Sequence, residues 1–156
     1  MVFLSGVSAG ASIAHNVAMM AGNAGSELGV EILGVGLVHP FFWGSTSIGS
    51  EEARGSMDPA SKSGTDRLWA FVCPSNLDND DPRVNPVAEG GPSLVGLGCR
   101  RVLVSVAEKD LLKDRGGCTM RRWVGAGGRV WLRSLRQKVK VMVSICITRI
   151  VRMPKI

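Results

Sequence analysis

A Gly-x-Ser-x-Gly turn between an apolar strand and a helix-forming run constrains this sequence more than any other feature. The turn spans Gly6 to Gly10 with Ser8 at its centre, after apolar residues 2–5 and before a helical pattern over residues 9–22. Such a turn strains the serine backbone, exposes its hydroxyl and directs helix N–H groups toward an oxyanion. Ser8 is therefore a candidate nucleophile, with an ordinary turn serine as the alternative on the motif alone. We predict that a side chain at either flanking glycine would collide with strand and helix.

The remaining pattern alternates strands with helices. Ile13, Val17 and Met20 recur at helical spacing after the turn. Continuous apolar runs at residues 30–39 and 101–107 predict buried strands. A short helix is expected over residues 66–73 with Asp66 at its cap, and another from Leu111 onward. Residues 45–65 read as a surface excursion and residues 74–98 as a loop. This alternation predicts an α/β fold with a parallel sheet.

Charge divides the sequence into two unlike segments. Residues 1–116 hold 9 Lys+Arg and 13 Asp+Glu, whereas residues 117–156 hold 10 Lys+Arg and no acid. A basic tail can neutralise phosphates, so nucleic-acid binding is one hypothesis. The tail has no zinc-ligand spacing and no helix–turn–helix signal, and we therefore expect nonspecific contacts and no specific nucleic-acid partner.

Acidic residues follow the third predicted strand, at the sheet edge where active sites of open α/β sheets gather. Asp110 at this edge has two open interpretations: it orients a catalytic histidine, or it caps the next helix. The sequence has two histidines, His15 and His39, and structural roles are predicted for both. The aromatic residues of the segment 41–43 are expected in the core or in a pocket wall.

No cofactor, metal ion or membrane is expected as a partner. Four separated cysteines and two histidines give no metal-ligand spacing, which favours free thiols in a reducing compartment. No apolar run reaches the roughly 18 residues of a membrane span, and the first residues lack the basic start of a secretory signal. We expect a cytoplasmic location.

Residues 1–116 resemble the plant carboxylesterases of the hormone-sensitive-lipase branch of the α/β hydrolases, which are related to the gibberellin receptor. The matching stretches are VFLSGVSAGASIAHNVAM, GVEILGVGLVHPFFWGS, DRLWAFVCPS and DDPRVNPVAEGGPSLVGLGCRRVLVSVAEKDLLKDRG. The resemblance implies the C-terminal part of an α/β-hydrolase sheet, incomplete, with flanking helices. It implies hydrolysis of small-molecule carboxylic esters through an acyl-serine, without a cofactor.

The resemblance also assigns roles to positions. Ser8 is the nucleophile position, Asp110 the acid of the triad, and the Ala9 N–H one oxyanion donor. The segment 40–43 and the loop through residues 85–86 would lie near the acyl or alcohol pocket.

The sequence departs from this family in three ways. Val7 stands where the family usually has Asp, the upstream half with its oxyanion loop is not in the sequence, and no histidine follows His39. We therefore expect negligible turnover, and self-association through an exposed sheet edge. A non-catalytic ligand receptor of the gibberellin-receptor type is an alternative, because that lineage keeps the fold without the histidine.

The basic segment is interpreted as a frame-shifted end. Codons TGT-ACT-ATG for residues 118–120 read Tyr-Tyr in a neighbouring frame, and GTC-ATG-GTT-TCC-ATC-TGT for residues 141–146 reads His-Gly-Phe-His-Leu in the same frame. Both strings resemble what the family carries after its acid. We expect a partial hydrolase domain at residues 1–116 and a poorly ordered, non-family tail at residues 117–156.

Overall fold

Four parallel strands form one sheet in the order β1-β2-β3-β4 in the computed structural model, which describes residues 1–53, 59–99, 101–127 and 129–135. The strands are β1 Val2–Val7, β2 Ile32–Val38, β3 Arg101–Ala107 and β4 Arg129–Leu135. The helices are α1 Ala9–Ala24, α2 Ser50–Ala53, α3 Pro59–Val72 and α4 Lys113–Gly125, with short 3-10 turns at Gly25–Leu28 and Leu94–Gly96. The predicted α/β fold with a parallel sheet is confirmed.

The core lies between the sheet and helices α1 and α4. Helix α1 packs against β1 and β2, and α4 packs against β3 and β4. Alternate residues Val102, Val104 and Val106 of β3 are buried, while Leu103 between them is 44% exposed. Phe3 of β1 is 59% exposed. A parallel sheet is ordinarily covered on both faces, and the described residues leave one face largely open.

Helix α1 buries a different side from the one its apolar spacing indicated. The exposed side carries Ile13, Val17 and Met20. The buried side carries mainly small residues, namely Ala11, Ala14, His15, Ala18 and Met19. Small side chains let the helix approach the sheet closely, so packing distance decided the buried face.

Helix α3 begins earlier than predicted, and this corrects the position of Asp66. The helix starts at Pro59, so Asp66 lies in its middle and is not its cap. The Asp66 Oδ1 atom accepts a hydrogen bond from Trp43 Nε1 at 2.9 Å. The carboxylate therefore connects α3 to the segment that follows β2, a role that depends on a distant residue.

Residues 45–65 were predicted to lie at the surface, and this prediction is wrong for Glu51. Glu51 forms a buried ion pair with Arg115. Arg115 Nε donates to Glu51 Oε1 at 2.6 Å and Arg115 Nη2 donates to Glu51 Oε2 at 2.9 Å. Arg115 is 3% exposed and Glu51 is 6% exposed. Arg115 Nη2 also donates to the Thr46 carbonyl at 2.6 Å, and the guanidinium lies 5.2 Å from the Trp43 ring centroid. These contacts fasten the segment to the first turn of α4.

Helix α4 extends across residue 116, where the charge pattern changes. It begins at Lys113 and ends at Gly125, and β4 pairs with β3 in parallel register. Residues 136–156 lie outside the described residues. The division of the chain at residue 116 and the frame-shifted end stay predictions, which sequencing of the transcript across these codons tests.

Candidate active site

Ser8 occupies a strained turn between β1 and α1. Its φ of 54° and ψ of −122° lie outside the regions that L-residues ordinarily adopt. The backbone is held from both sides, because Ser8 N donates to the Val38 carbonyl at 2.9 Å and Phe41 N donates to the Ser8 carbonyl at 3.1 Å. Strain of this kind costs about 1–3 kcal/mol and persists where the surroundings over-determine it, commonly at functional sites.

The two glycines of the turn have different surroundings. A Cβ on Gly6 would lie 2.1 Å from the Gly10 carbonyl oxygen and 2.6 Å from Ala11 N. The predicted collision is therefore confirmed at Gly6, where β1 and α1 approach each other. At Gly10 the prediction is wrong, because a Cβ there would meet nothing within 4 Å. The close approach of the two backbones therefore requires glycine at position 6. At position 10 the described residues leave space for a side chain.

Ser8 and the Ala9 N–H lie at the N-terminus of α1. Ser8 is partly exposed, and its hydroxyl forms no hydrogen bond with the part of the chain that the structure describes. As the first residue of α1, Ala9 has no intrahelical acceptor for its N–H. The amide and the helix dipole are thus available to a negatively charged oxygen, which is the chemistry of an oxyanion donor.

Asp110 makes two hydrogen bonds beyond the end of β3, one with each carboxylate oxygen. Oδ1 accepts from Leu112 N at 2.9 Å, which forms a local turn before α4. Oδ2 lies 3.1 Å from Nδ1 of His39. The structure therefore combines the two interpretations left open by the sequence: Asp110 organises the approach to the next helix, and it also contacts a histidine.

His39 is the functional candidate that the sequence reasoning missed. It follows β2, the strand between those that precede Ser8 and Asp110. Its backbone N donates to the Ser105 carbonyl at 2.7 Å, and its φ is 45°. Position at the carboxyl end of a parallel strand was the available signal, since such ends form one edge of the sheet.

Of the two predicted pocket segments, the one at residues 40–43 contacts the turn and α1. The Phe41 carbonyl accepts from the Ser12 hydroxyl at 2.5 Å, which ties the segment after β2 to α1. Phe42 and Trp43 are buried, in agreement with the predicted core role. Asn85 is also buried, and its side chain donates to Asp80 Oδ1 at 2.8 Å. The Ser45 hydroxyl holds the pKa of Asp80 below its ordinary value.

His15 is buried without a hydrogen-bond partner. Neither ring nitrogen has one in the structure as described, and the ring packs edge-on against Phe42 at 5.5 Å between centroids. Burial lowers its pKa from 6.5 to about 4, which keeps the imidazole neutral. The structural role predicted for His15 thus comes without the expected hydrogen bonds. The residue also borders a cleft of about 200 Å³ between α1 and the loop at residues 82–94.

The described residues bring together no site for a metal. Within the described ranges, no three His, Cys, Asp or Glu side chains form a cluster that could hold one. Cys73, Cys99 and Cys118 are free thiols, and burial raises the pKa of Cys99. Cys146 lies outside the described residues. None of the helices in the described ranges is both long and apolar enough to cross a membrane.

In the parallel sheet, the strained Ser8 follows β1 and the acid Asp110 follows β3. This arrangement is that of an α/β hydrolase. The sequence model of a protein family with the α/β hydrolase fold matches residues 1–143, and the chain belongs to this family. The resemblance to plant carboxylesterases is confirmed by sequence similarity. The chain is 44% identical over 139 residues to "Probable carboxylesterase 2" of Arabidopsis thaliana, covering 88% of the chain and 42% of that protein.

Other relatives are named for different reactions. The chain is 44% identical over 128 residues to "Tuliposide A-converting enzyme 1, chloroplastic" of Tulipa gesneriana, covering 82% of the chain and 31% of that protein. It is 41% identical over 115 residues to "2-hydroxyisoflavanone dehydratase" of Glycine max, covering 73% and 35%. The chain therefore spans less than half the length of these three relatives.

Solved structures show the same fold. A carboxyl esterase from the fungus Tuber melanosporum matches with a TM-score of 0.65 and 16% identity, covering 85% of this chain and 42% of that one. A hormone-sensitive lipase from a metagenome library matches with a TM-score of 0.63 and 20% identity, covering 85% and 43%. At these identities the comparison shows the fold alone.

Proposed function

We propose that Ser8 is the nucleophile of a carboxylic ester hydrolase. The observation that carries the proposal is the strained conformation of Ser8, whose hydroxyl has no hydrogen-bond partner among the described residues, at the N-terminus of α1. A serine in an α/β-hydrolase turn is held in this way so that its Oγ projects above the sheet edge. The Ala9 N–H and the dipole of α1 stabilise the oxyanion that forms there.

The reaction follows acyl-transfer chemistry. Ser8 Oγ attacks the acyl carbon of a small-molecule ester while a base takes its proton. The ester C–O bond then breaks, and the departing alkoxide receives that proton and leaves as the alcohol. Water hydrolyses the acyl-serine by the same steps in reverse. Asp110 serves as the acid of the triad, with its carboxylate fixed by the Leu112 N–H.

We expect negligible turnover from the chain as written. No histidine follows Asp110 in the sequence, although the family resemblance implies one there. Loss of a triad member ordinarily costs several powers of ten in rate. Release of p-nitrophenol from p-nitrophenyl acetate and butyrate by purified protein tests this, with Ser8→Ala as the matched control. Multiple turnovers that Ser8→Ala abolishes would contradict the expected inactivity and would support the nucleophile assignment.

The natural ester is proposed only as a small-molecule carboxylic ester, because the relatives' names point to different substrates. We propose a cytoplasmic location, although two relatives from Tulipa gesneriana are named as chloroplastic and a third as amyloplastic. Imaging of a fluorescent fusion of the complete gene product tests the location. The receptor-type and nucleic-acid alternatives stay predictions, since no contact among the described residues favours either.

A further inference from the structure

We propose that His39 acts as the general base for Ser8 in this chain, in place of a histidine that follows Asp110. This inference rests on the proposed function of Ser8 as a nucleophile. It assigns a catalytic role to a residue at the end of β2, directly between the strand that leads to Ser8 and the strand that leads to Asp110. Three features of the site lead to it.

The first feature is the contact between His39 and Asp110. His39 Nδ1 lies 3.1 Å from Asp110 Oδ2, and both side chains are largely buried, with exposed fractions of 13% and 17%. The Ala107 N–H also points at His39 Nδ1, at 3.3 Å. Nδ1 cannot accept from the Ala107 amide and donate to Asp110 at the same time.

The charge of Asp110 decides between these two contacts. An ionised carboxylate only accepts, and a hydrogen bond to it is stronger than one between neutral groups. In the proposed triad the proton therefore lies on Nδ1 and is donated to Asp110 Oδ2. In a Ser-His-Asp triad the acid contacts the same ring nitrogen and fixes the same tautomer. The lone pair of the neutral imidazole is then on Nε2.

The second feature is that Nε2 has no other use in the described part of the chain. Nε2 of His39 forms no hydrogen bond there, and it is absent from the buried polar atoms that lack a partner. The His39 side chain as a whole is 13% exposed. The Ser8 hydroxyl likewise has no hydrogen-bond partner among the described residues, and Ser8 is partly exposed.

The third feature is the position of Ser8 beside His39. The strand register pairs Val7 with Val38, so the next residues along the two strands are Ser8 and His39. The Ser8 N–H donates to the Val38 carbonyl at 2.9 Å. Ser8 and His39 are also the two non-glycine residues with positive φ among those described. Adjacent strain at both residues is consistent with a functional constraint on the pair.

The order of these residues along the chain differs from that expected of the family, yet triads are recognised by geometry and role. Ser8 Oγ and His39 Nε2 are not hydrogen-bonded to each other in this structure. Catalytic hydrogen bonds are often long in the absence of substrate and shorten in the reacting complex. The missing contact is therefore compatible with the proposed role.

The step tested is the first half of the reaction. Ser8 Oγ attacks an acyl or phosphonyl centre and forms a bond to it, its proton passes to His39 Nε2, and the leaving group departs with the bonding electron pair. A positioned general base contributes roughly 10²–10⁴-fold to such a step. This half of the reaction needs a single event at Ser8, so it is measured separately from turnover.

Covalent labelling by a fluorophosphonate probe measures this step on the full chain, without any need for turnover. Fluoride is the leaving group, and the label is located by peptide mass analysis. We expect Ser8 to be labelled, and His39→Gln and Asp110→Asn each to slow labelling at least tenfold. Glu108→Gln, which removes an exposed carboxylate two residues from Asp110, is the matched control and keeps the wild-type rate.

His39→Gly, tested with and without free imidazole, is a second variant, and its result does not depend on the Gln side chain. Labelling of His39→Gly is expected to recover on addition of imidazole, which a merely structural role of His39 would not produce. Nitrogen-15 NMR of the histidine rings adds a spectroscopic readout: we expect the proton of neutral His39 on Nδ1 in the wild type, and a change of tautomer in Asp110→Asn.

The outcomes separate this inference from the proposed function. Labelling of Ser8 at an equal rate in His39→Gln overturns the role of His39 and leaves the nucleophile assignment intact. Labelling that persists in Ser8→Ala overturns both. Absence of labelling in the wild type overturns the role of His39, while it agrees with an inactive chain.

Discussion

Gly6 and Gly10, although equivalent in the motif, should respond differently to a methyl group. Gly6→Ala forces the backbones of β1 and α1 apart, because its Cβ would lie 2.1 Å from the Gly10 carbonyl oxygen. Overpacking of this kind costs about 1–3 kcal/mol. Gly10→Ala is the matched control, since it meets no atom within 4 Å and a helix favours Ala over Gly by up to about 1 kcal/mol. Urea unfolding measures both, and equal destabilisation would contradict the distinction.

The ion pair between Arg115 and Glu51 is a second residue-scale test. Arg115→Ala leaves the Glu51 carboxylate buried without its partner and is expected to lower the free energy of unfolding by about 3–5 kcal/mol. Lys62→Ala is the control, because the side chains of Lys62 and its partner Asp66 are 36% and 34% exposed. An exposed pair contributes about 0–1 kcal/mol. Unfolding midpoints that fall equally would show that burial does not set the difference.

At the scale of elements, β1 and β4 are the edge strands of the described sheet, and no described strand pairs with the outer edge of β1. Such an edge is a template for strand addition by another chain, and a charged residue on it opposes association. Phe3→Lys is therefore expected to lower the weight-average mass in sedimentation velocity. Ile13→Lys on α1 is the control, because Ile13 is equally apolar and exposed but lies on a helix. An equal effect of Ile13→Lys would indicate association through α1 instead of the strand edge.

At the scale of the whole molecule, His15 makes stability depend on pH. Its pKa is about 4 when folded and 6.5 ordinarily, so the unfolded chain binds a proton in this window that the folded chain does not. Its contribution is present above pH 6.5 and is lost as the pH falls to about 4, a change of about 3 kcal/mol. His15→Leu should flatten the pH dependence of unfolding between these values.

The comparison of His15→Leu with the wild type isolates this effect from the carboxylates. The Arg83 side chain lowers the pKa of Asp81, so the stability that this pair supplies is lost only as the pH falls below the ordinary range of aspartate. At pH 7 the leucine variant should be at least as stable, because it removes two buried nitrogens that have no partner among the described residues. A pH dependence unchanged by His15→Leu would contradict the assignment.

Much of the fold follows from local pattern. The turn around Ser8 and the strand at residues 101–107 were predictable, because side-chain alternation and turn chemistry act over a few residues. The buried side of α1 was not, since Ile13 and Val17 carry the apolar pattern while close packing selected the alanines. The depth of Glu51 was equally hidden, because its partner lies 64 residues away.

The sequence by itself determined the alternation of strands and helices, the conformation required of Ser8, and the presence of an acid after β3. Tertiary structure alone decided which side chains meet at the sheet edge. His39 and Asp110 are 71 residues apart, and parallel strand register brings their side chains within 3.1 Å. The physical reason is range: propensity and periodicity act between near neighbours, whereas register and burial join residues whose separation along the chain carries no local signal.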